Sequence, residues 1–509
     1  MRTTSFALFA LTLSGAAWLT GCGAKDYSSD DGAEMSGDLG VGQGGAQDFG
    51  YFRDILLEGG LPGPESIDDV GFFNEHVIEV PPAECDDDVC VHGRLGMMGN
   101  MINGGDCTIV TLAMNTPIDI DDLERPPLNL VLAIDSSGSM AGQPLQYVQS
   151  GLRQMLEAVE PGDKVTLITF SGEARVVAEG GAEDLSSLYE AIDRMSANGS
   201  TNIYDALDLA YDMVELNAGL EWQNRILLLS DGVATAGVTS STEILSLAEI
   251  HAHDSYRLTT IGIGEEFDIE LMQELAEVGE GSFYYVEDPA AVSEVFVDEV
   301  TSYLVPLAHD AVIEVNVEPG WEVRAMYGTK DFILTDDRAR IEIDTLQIAG
   351  RTSDEDNEDG RRGGNGAVIV ELIPEEGTPA GEVGVIDFAY LEASSGESVT
   401  DRVSISSPLA PAELEQGAYH FEDASVAKSF VMLNLYVGFE MATQDVGEWD
   451  LDGALATLVA LCGSVEGWLS ENPDEDIEDD LFYLKLFIDN LRANGAGQAG
   501  EAGDPWPND

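Results

Sequence analysis

The stretch Leu130-Val131-Leu132-Ala133-Ile134-Asp135-Ser136-Ser137-Gly138-Ser139 decides how this chain is read. An unbroken apolar run that stops abruptly on small hydroxyl residues is the pattern of a strand buried on both faces, as in a parallel sheet. Helical periodicity follows near Leu145 to Glu160, so strand, polar loop and helix form one βα unit. In open α/β sheets ligands bind beyond the carboxyl ends of the strands, which places Asp135 where chemistry is expected. The alternation of Asp135, Ser137 and Ser139 can turn one carboxylate and two hydroxyls toward a common point. An all-oxygen set of this kind suits Mg²⁺, Ca²⁺ or Mn²⁺ rather than zinc or copper. By itself the pattern is weak, because Ser-rich loops also cap helices.

Outward from this stretch the β/α alternation continues. Strands read at Asn129 to Ile134, Lys164 to Phe170, Arg175 to Ala178, Arg225 to Leu229, Arg257 to Ile263 and Ser282 to Tyr285. Helices read near Leu145 to Glu160, Asp184 to Met195, Ile203 to Asn217, Ser241 to His251, Asp268 to Val278 and Ala290 to Tyr303. Residues 128–304 are therefore expected to form a doubly wound, mostly parallel α/β sheet, with an antiparallel hairpin over 164–178 at one edge. Past Pro306 the period falls to two. Ala311 to Val317, Trp321 to Ala325, Ala339 to Ile343, Ala367 to Leu372 and Val385 to Leu391 predict an antiparallel β-sandwich over 305–410, with the acidic run Asp354 to Gly366 as a loop.

Residues 411–494 predict a small helical domain, with helices at Val426 to Ala442, Leu451 to Leu469 and Leu481 to Ala493 and the acidic run Glu471 to Asp480 between the last two. Residues 51–127 read as an N-terminal β-rich segment, with a helix at Phe52 to Glu58 and strand-like runs at Val77 to Val80 and Thr108 to Ala113. The Gly/Ser/Asp-rich stretch 23–50 and the tail 495–509 are expected to be disordered.

Composition narrows the function. The 509 residues hold 96 Asp+Glu against 22 Lys+Arg, a net charge of -74, so no basic field exists to neutralise phosphates and nucleic-acid binding is set aside. Such acidity resembles that of proteins from salt-adapted organisms, and screening salt should favour the fold. No apolar run after the first segment is long enough for a transmembrane helix. At the N-terminus, Arg2, the apolar run Phe6 to Leu19 and Leu19-Thr20-Gly21-Cys22 resemble a bacterial lipoprotein signal over 1–22. The resemblance implies cleavage before Cys22 and its lipidation, hence a membrane-anchored cell-envelope protein; Gly23 in place of Asp points to the outer membrane. Cys85, Cys90, Cys107 and Cys462 remain, an even number in an exported chain, and allow disulfides in three connectivities.

Two more segments make the first motif specific. Asp135-x-Ser137-x-Ser139, then Thr201 in Gly199-Ser200-Thr201-Asn202, then Asp231 in Leu229-Ser230-Asp231-Gly232, resemble the metal-ion-dependent adhesion site (MIDAS) of von Willebrand factor type A (VWA) domains. The resemblance implies that Ser137 and Ser139 ligate the metal directly and Thr201 directly or through water, while Asp135 and Asp231 act mostly through water. With few carboxylates bound directly, the ion keeps an open position, which in relatives takes an acidic side chain of a protein partner. A second resemblance, carried by Tyr51-Phe52-Arg53, Gly60-Leu61-Pro62, Phe72-Phe73-Asn74, Asn115-Thr116-Pro117, Leu128-Asn129-Leu130-Val131 and Met326-Tyr327-Gly328, is to a bacterial family of VWA lipoproteins. It implies that the VWA domain is inserted in a β-rich framework. Around Gly93 to Cys107 this chain departs from that family.

Other motifs weigh less. Asp354 to Gly360 lacks the spacing of a calcium loop, His251-x-His253 ends a predicted helix on a polar stretch, and Gly93-x-x-Gly96-x-x-Gly99 lacks dinucleotide spacing. The expected function is metal-mediated binding of a protein partner rather than catalysis. The alternatives are a metal-dependent hydrolase, for which no nucleophile elbow, His-Glu-x-x-His or nearby His base is found, and a cation-responsive acidic structural protein of the envelope.

Overall fold

The computed structural model describes residues 39–43, 49–76, 78–85, 87–118, 126–218, 222–231, 233–251, 256–263, 268–286, 295, 306–329, 332–349, 368–415 and 417–497. Strand β1 (Leu39–Gln43) precedes helices α1 (Gly50–Leu57) and α2 (Asp69–Asn74) and the hairpin of β2 (Cys90–Gly99) with β3 (Asp106–Thr116). The α/β region then runs β4 (Leu128–Asp135), α3 (Gln143–Glu157), β5 (Lys164–Phe170), β6 (Ala174–Gly180), α4 (Ser186–Arg194), α5 (Ile203–Asn217), β7 (Gln223–Ser230), α6 (Ser241–His251), β8 (Arg257–Ile263), α7 (Ile269–Val278) and β9 (Glu280–Val286). Seven strands follow: β10 (Pro306–Val317), β11 (Trp321–Tyr327), β12 (Phe332–Thr335), β13 (Arg338–Ala349), β14 (Val368–Pro374), β15 (Gly381–Glu392) and β16 (Ser398–Ser407). The chain closes with β17 (Tyr419–Phe421) and helices α8 (Ala424–Gly447), α9 (Leu451–Leu469) and α10 (Glu475–Ala493).

The α/β region is built around β4. Every residue of this strand is buried, and its alternate side chains feed two cores: Leu128, Leu130, Leu132 and Ile134 enter one, Val131 and Ala133 the other. The sheet order is β6-β5-β4-β7-β8-β9, parallel except for the antiparallel edge strand β6. The doubly wound expectation and its antiparallel edge hairpin both hold. Because β5 and β7 flank β4 on opposite sides, the strand order reverses at β4, and the crevice at its carboxyl end is the place where such sheets bind ligands.

The remaining strands form one antiparallel sheet of eleven, in the order β11-β14-β3-β1-β13-β10-β15-β16, with β12 on β13 and the β17-β2 pair on β3. Its two halves fold over one apolar core that includes Val110, Leu112 and Val370 from one half and Ile313, Ile341 and Ile386 from the other. The expected sandwich is thus a single sheet, continuous through β1, which pairs with both β3 and β13. The α/β sheet lies in sequence between β3 and β10 of this framework.

Several expectations are corrected. The stretch 23–50, read as disordered, contributes β1 and the start of α1. Ile78–Val80 form no strand, since Pro81 and Pro82 follow at once and proline both lacks an N–H and restricts the residue before it. Strand β2 was hidden by its glycines, and β12, β16 and β17 were not anticipated. The acidic run before Leu481 is helical from Glu475, because Asp474 caps the helix by accepting from the Ile477 amide and acids suit a helix N-terminus. Among the four cysteines, Cys85 and Cys90 form a disulfide with Cα atoms 5.7 Å apart. Cys107 and Cys462 are free thiols in separate settings, Cys107 buried on β3 against Glu371 and Cys462 on α9. Cys22, the acidic loop 354–366, His253, the helix expected at Ala290 to Tyr303 and the tail from residue 498 lie outside the described residues, apart from Val295.

The helical region does not have a core of its own. Phe430, Phe439, Leu458, Leu461, Leu484 and Phe487 share one cluster with Phe49, Phe52, Leu56, Phe72 and Phe73 of the N-terminal segment. Buried polar contacts tie the same parts together: Arg53 pairs with Glu75, and His76 Nε2 lies 2.7 Å from Asp480 Oδ2. Among the described helices, none is long and apolar enough to cross a membrane.

Candidate metal centre

Asp135 is the last residue of β4, and pairing of Ile134 with Leu229 on β7 brings Ser230 and Asp231 beside it. The side chain of Asp135 is fully buried. Its Oδ1 accepts from the Ser137 amide at 2.7 Å and its Oδ2 from the Ser230 hydroxyl at 2.6 Å. Both oxygens are thus engaged by the protein, and the carboxylate fixes the loop and the β7 terminus in place. The hydroxyls of Ser137 and Ser139 lie 3.0 Å apart, and Ser139 donates to Asp231 Oδ1 at 2.8 Å. One chain of contacts therefore links Asp135, Ser137, Ser139 and Asp231.

Thr201 reaches the same crevice through its backbone. The Gly138 amide donates to Gly199 O at 3.1 Å and the Asn198 amide to Ser136 O at 2.8 Å, which knits the first two loops together. The Thr201 amide donates to the Thr235 hydroxyl at 2.9 Å, and Thr201 O accepts from the amides of Thr235 and Ala236. The loop after Asp231 therefore clamps Thr201, whose side chain is buried. Asn202 then caps α5 by accepting from the Asp205 amide, which fixes where that loop becomes helix. Gly199 has φ +90°, so the turn into Thr201 requires a residue without a Cβ.

Burial raises the Asp135 carboxyl to about 6 despite the donors from Ser230 and Ser137, and the charge of Asp231 adds to the rise. Asp231 is raised too, again by burial above all, against the Ser139 hydroxyl that lowers it. Two buried carboxylates that hold their protons more tightly than usual need a positive partner when ionised. The donor set is two carboxylates and three hydroxyls with no nitrogen or sulfur, which fits a hard divalent cation. Among the described residues no group of three or more His, Cys, Asp or Glu is placed to hold a metal, so this hydroxyl-rich set is unlike a carboxylate cage.

Four of the five residues predicted to form the site are thus joined in one chain of contacts, and the fifth, Thr201, lies on a loop that the bond from the Gly138 amide to Gly199 O ties to it. The sequence reading missed Ser230 and Thr235, which hold Asp135 and Thr201 from behind. Ser230 stood within the quoted Leu229-Ser230-Asp231 segment; its signal was its position beside Asp231, readable only once β7 is known to flank β4. His251, set aside in sequence, stacks on Tyr211 with ring centroids 4.3 Å apart, away from this site.

Comparison with known proteins matches residues 129–298 to the von Willebrand factor type A domain. The E. coli (strain K12) uncharacterized protein YfbK is 29% identical over 201 residues, covering 39% of this chain and 35% of that protein. An uncharacterized protein of Synechocystis is 31% identical over 178 residues, 35% of this chain and 41% of its own. Inter alpha-trypsin inhibitor, heavy chain 4, of Mus musculus is 29% identical over 165 residues, 31% of this chain and 18% of its own. The chain thus spans well under half the length of each of these relatives. In structure, a von Willebrand factor type A protein from Catenulispora acidiphila superposes with a TM-score of 0.50 at 15% identity, over 76% of this chain and 88% of that one, a likeness of fold. The sheet order, the three converging loops and the family match agree: residues 129–298 are a von Willebrand factor type A domain, carried here by a larger β-rich and helical framework.

Proposed function

We propose that this chain is a lipid-anchored cell-envelope protein of a bacterium, held in the outer membrane through Cys22, whose VWA domain binds an acidic side chain of a protein partner through Mg²⁺, Ca²⁺ or Mn²⁺. The observation that carries this reading is the contact chain Asp135, Ser137, Ser139, Asp231 at the switch point of the sheet. The hydroxyls of Ser137 and Ser139 would hold the ion directly, and that of Thr201 directly or through water. Asp135 and Asp231 would act mostly through water, in keeping with both Asp135 oxygens being occupied by protein donors. A bound divalent ion supplies a positive centre with a coordination position open to a partner's carboxylate. Within the site there is no His, Cys or Lys to act as base or nucleophile, which favours binding over hydrolysis as the reading.

Titration calorimetry of the chain from residue 23 onward with each of the three ions tests the centre, in about 0.5 M NaCl to screen the surface carboxylates. One saturable site is expected in the native protein and none in Asp135→Ala or Asp231→Ala. Equal uptake by all three proteins would mean that diffuse surface carboxylates bind the cations, and would overturn the reading.

A further inference from the structure

Next to the metal centre a cleft of about 820 Å³ opens between the β5-β6 hairpin and α4, with Ser136 of the motif loop in its lining. One wall is the edge strand β6, which bulges at Val177 and lines the cleft with both Arg175 and Val177. The other is the row Ser187, Glu190 and Arg194 on α4, three and four residues apart and so on one face. The inner end is continuous with the metal-site loops: the Asn202 amide donates to Ser171 O, and the Asn198 amide to Ser136 O, both at 2.8 Å. Its size is that of a ligand groove.

Its charge is unlike that of the rest of the chain. With 22 Lys+Arg against 96 Asp+Glu, arginines are scarce, yet both Arg175 and Arg194 line this cleft. Arg175 pairs with Glu173 at 2.9 Å and Arg194 with Glu190 at 2.8 Å, all four side chains being well exposed. Exposed pairs of this kind add little to stability, so each guanidinium can exchange its Glu for a carboxylate brought from outside. An acidic ligand is repelled by most of this surface and admitted where two arginines adjoin a cation site. A basic ligand would find stronger attraction almost anywhere else on the molecule.

We propose that this groove is the specificity-determining extension of the metal centre and takes an acidic peptide segment of the protein partner. One carboxylate of the segment would sit at the ion, and its further Asp or Glu side chains would displace Glu173 and Glu190 from Arg175 and Arg194. The proposal rests on the metal-dependent reading above and adds to it the class of partner sequence.

The test uses the full chain with excess Mg²⁺ and three fluorescein-labelled Gly/Ser peptides of equal length, read by anisotropy: one with a single Asp, one with the same Asp followed by three Glu, and one with neither. The multiply acidic peptide is expected to bind about tenfold more tightly than the single-Asp peptide. In the double variant Arg175→Ala/Arg194→Ala that advantage is lost while single-Asp binding is unchanged, and circular dichroism verifies that the exposed substitutions leave the fold intact. Asp135→Ala abolishes binding of both acidic peptides. An advantage that survives the double variant, with binding still abolished by Asp135→Ala, overturns the groove and leaves the metal reading standing. Binding that survives Asp135→Ala overturns the metal reading itself, and no binding of any peptide to the native chain up to about 1 mM overturns both. A sulfated oligosaccharide that binds more tightly than any peptide through the same arginines would overturn the peptide assignment.

Discussion

At the residue scale the site is a problem in holding buried carboxylates. Asp135 is inaccessible to solvent, and burying a charge is tolerated only when hydrogen bonds satisfy it. Ser230 supplies one of those bonds from the neighbouring strand at 2.6 Å. Ser230→Ala is therefore expected to cost about 1–3 kcal/mol in the metal-free protein, seen as a lower thermal midpoint, and to weaken metal binding by about tenfold without abolishing it. An unchanged midpoint would mean that the Ser230 bond does not hold Asp135. The candidate ligands were legible in sequence because Asp135, Ser137, Ser139 and Asp231 stand at or just past the end of an apolar strand, and Thr201 in a small-residue loop that opens α5. Ser230 and Thr235 were not, because their role depends on which strand and loop lie alongside, and no local pattern encodes that.

At the element scale the glycines of β2 show how a pattern can hide a strand. Gly93-x-x-Gly96-x-x-Gly99 interrupts the alternation that marks a half-buried strand, yet β2 forms a full ladder with β3. A Cβ at Gly93 would collide with Ile386 of β15, and one at Gly96 would come within 2.8 Å of Val426 and 2.9 Å of Phe421. The glycines let β2 lie close against β15 on one side and the β17-α8 segment on the other. Gly93→Val is expected to lower stability by about 1–3 kcal/mol through overpacking, measured as a lower urea midpoint. No change would mean that Ile386 moves aside at no cost. Acidity also works locally at this scale: Asp68, Asp268, Asp423, Asp450 and Asp474 each cap a helix by accepting from its first free amides. Helices α5, α6 and α9 and strands β5 and β8 fall where the sequence periodicity put them, since each carries its own boundary signals.

At the scale of the whole molecule, the VWA domain and the C-terminal helices differ in self-sufficiency. The two cores of the domain are drawn from residues 128–295, with Tyr51 at the margin against Tyr285. The helices share their core with Phe49, Phe52, Leu56, Phe72 and Phe73, and Asn490 donates to the carbonyls of Leu56 and Gly60 at 2.8 and 3.0 Å. A fragment of residues 126–305 is expected to melt cooperatively, whereas residues 411–497 alone should bind a hydrophobic dye and lack a cooperative transition, both followed by circular dichroism. A cooperative melt of the helical fragment would show that the N-terminal aromatic residues are dispensable to it.

The sequence alone determined the α/β class, the position of the ligand crevice and the residues that face it, because strand burial, helix caps and small-residue loops are written in neighbouring positions. Only the tertiary structure decided that β1 joins the two halves of the framework, that Cys85 pairs with Cys90, that the terminal helices close on the N-terminal segment, and that two of the scarce arginines border the metal loops. The disulfide closes a loop of only five positions and belongs to one of three connectivities open to four cysteines; the other features join residues tens to hundreds of positions apart or depend on which segments come to lie side by side. Their energy comes from burial and contacts that exist only once the chain has folded.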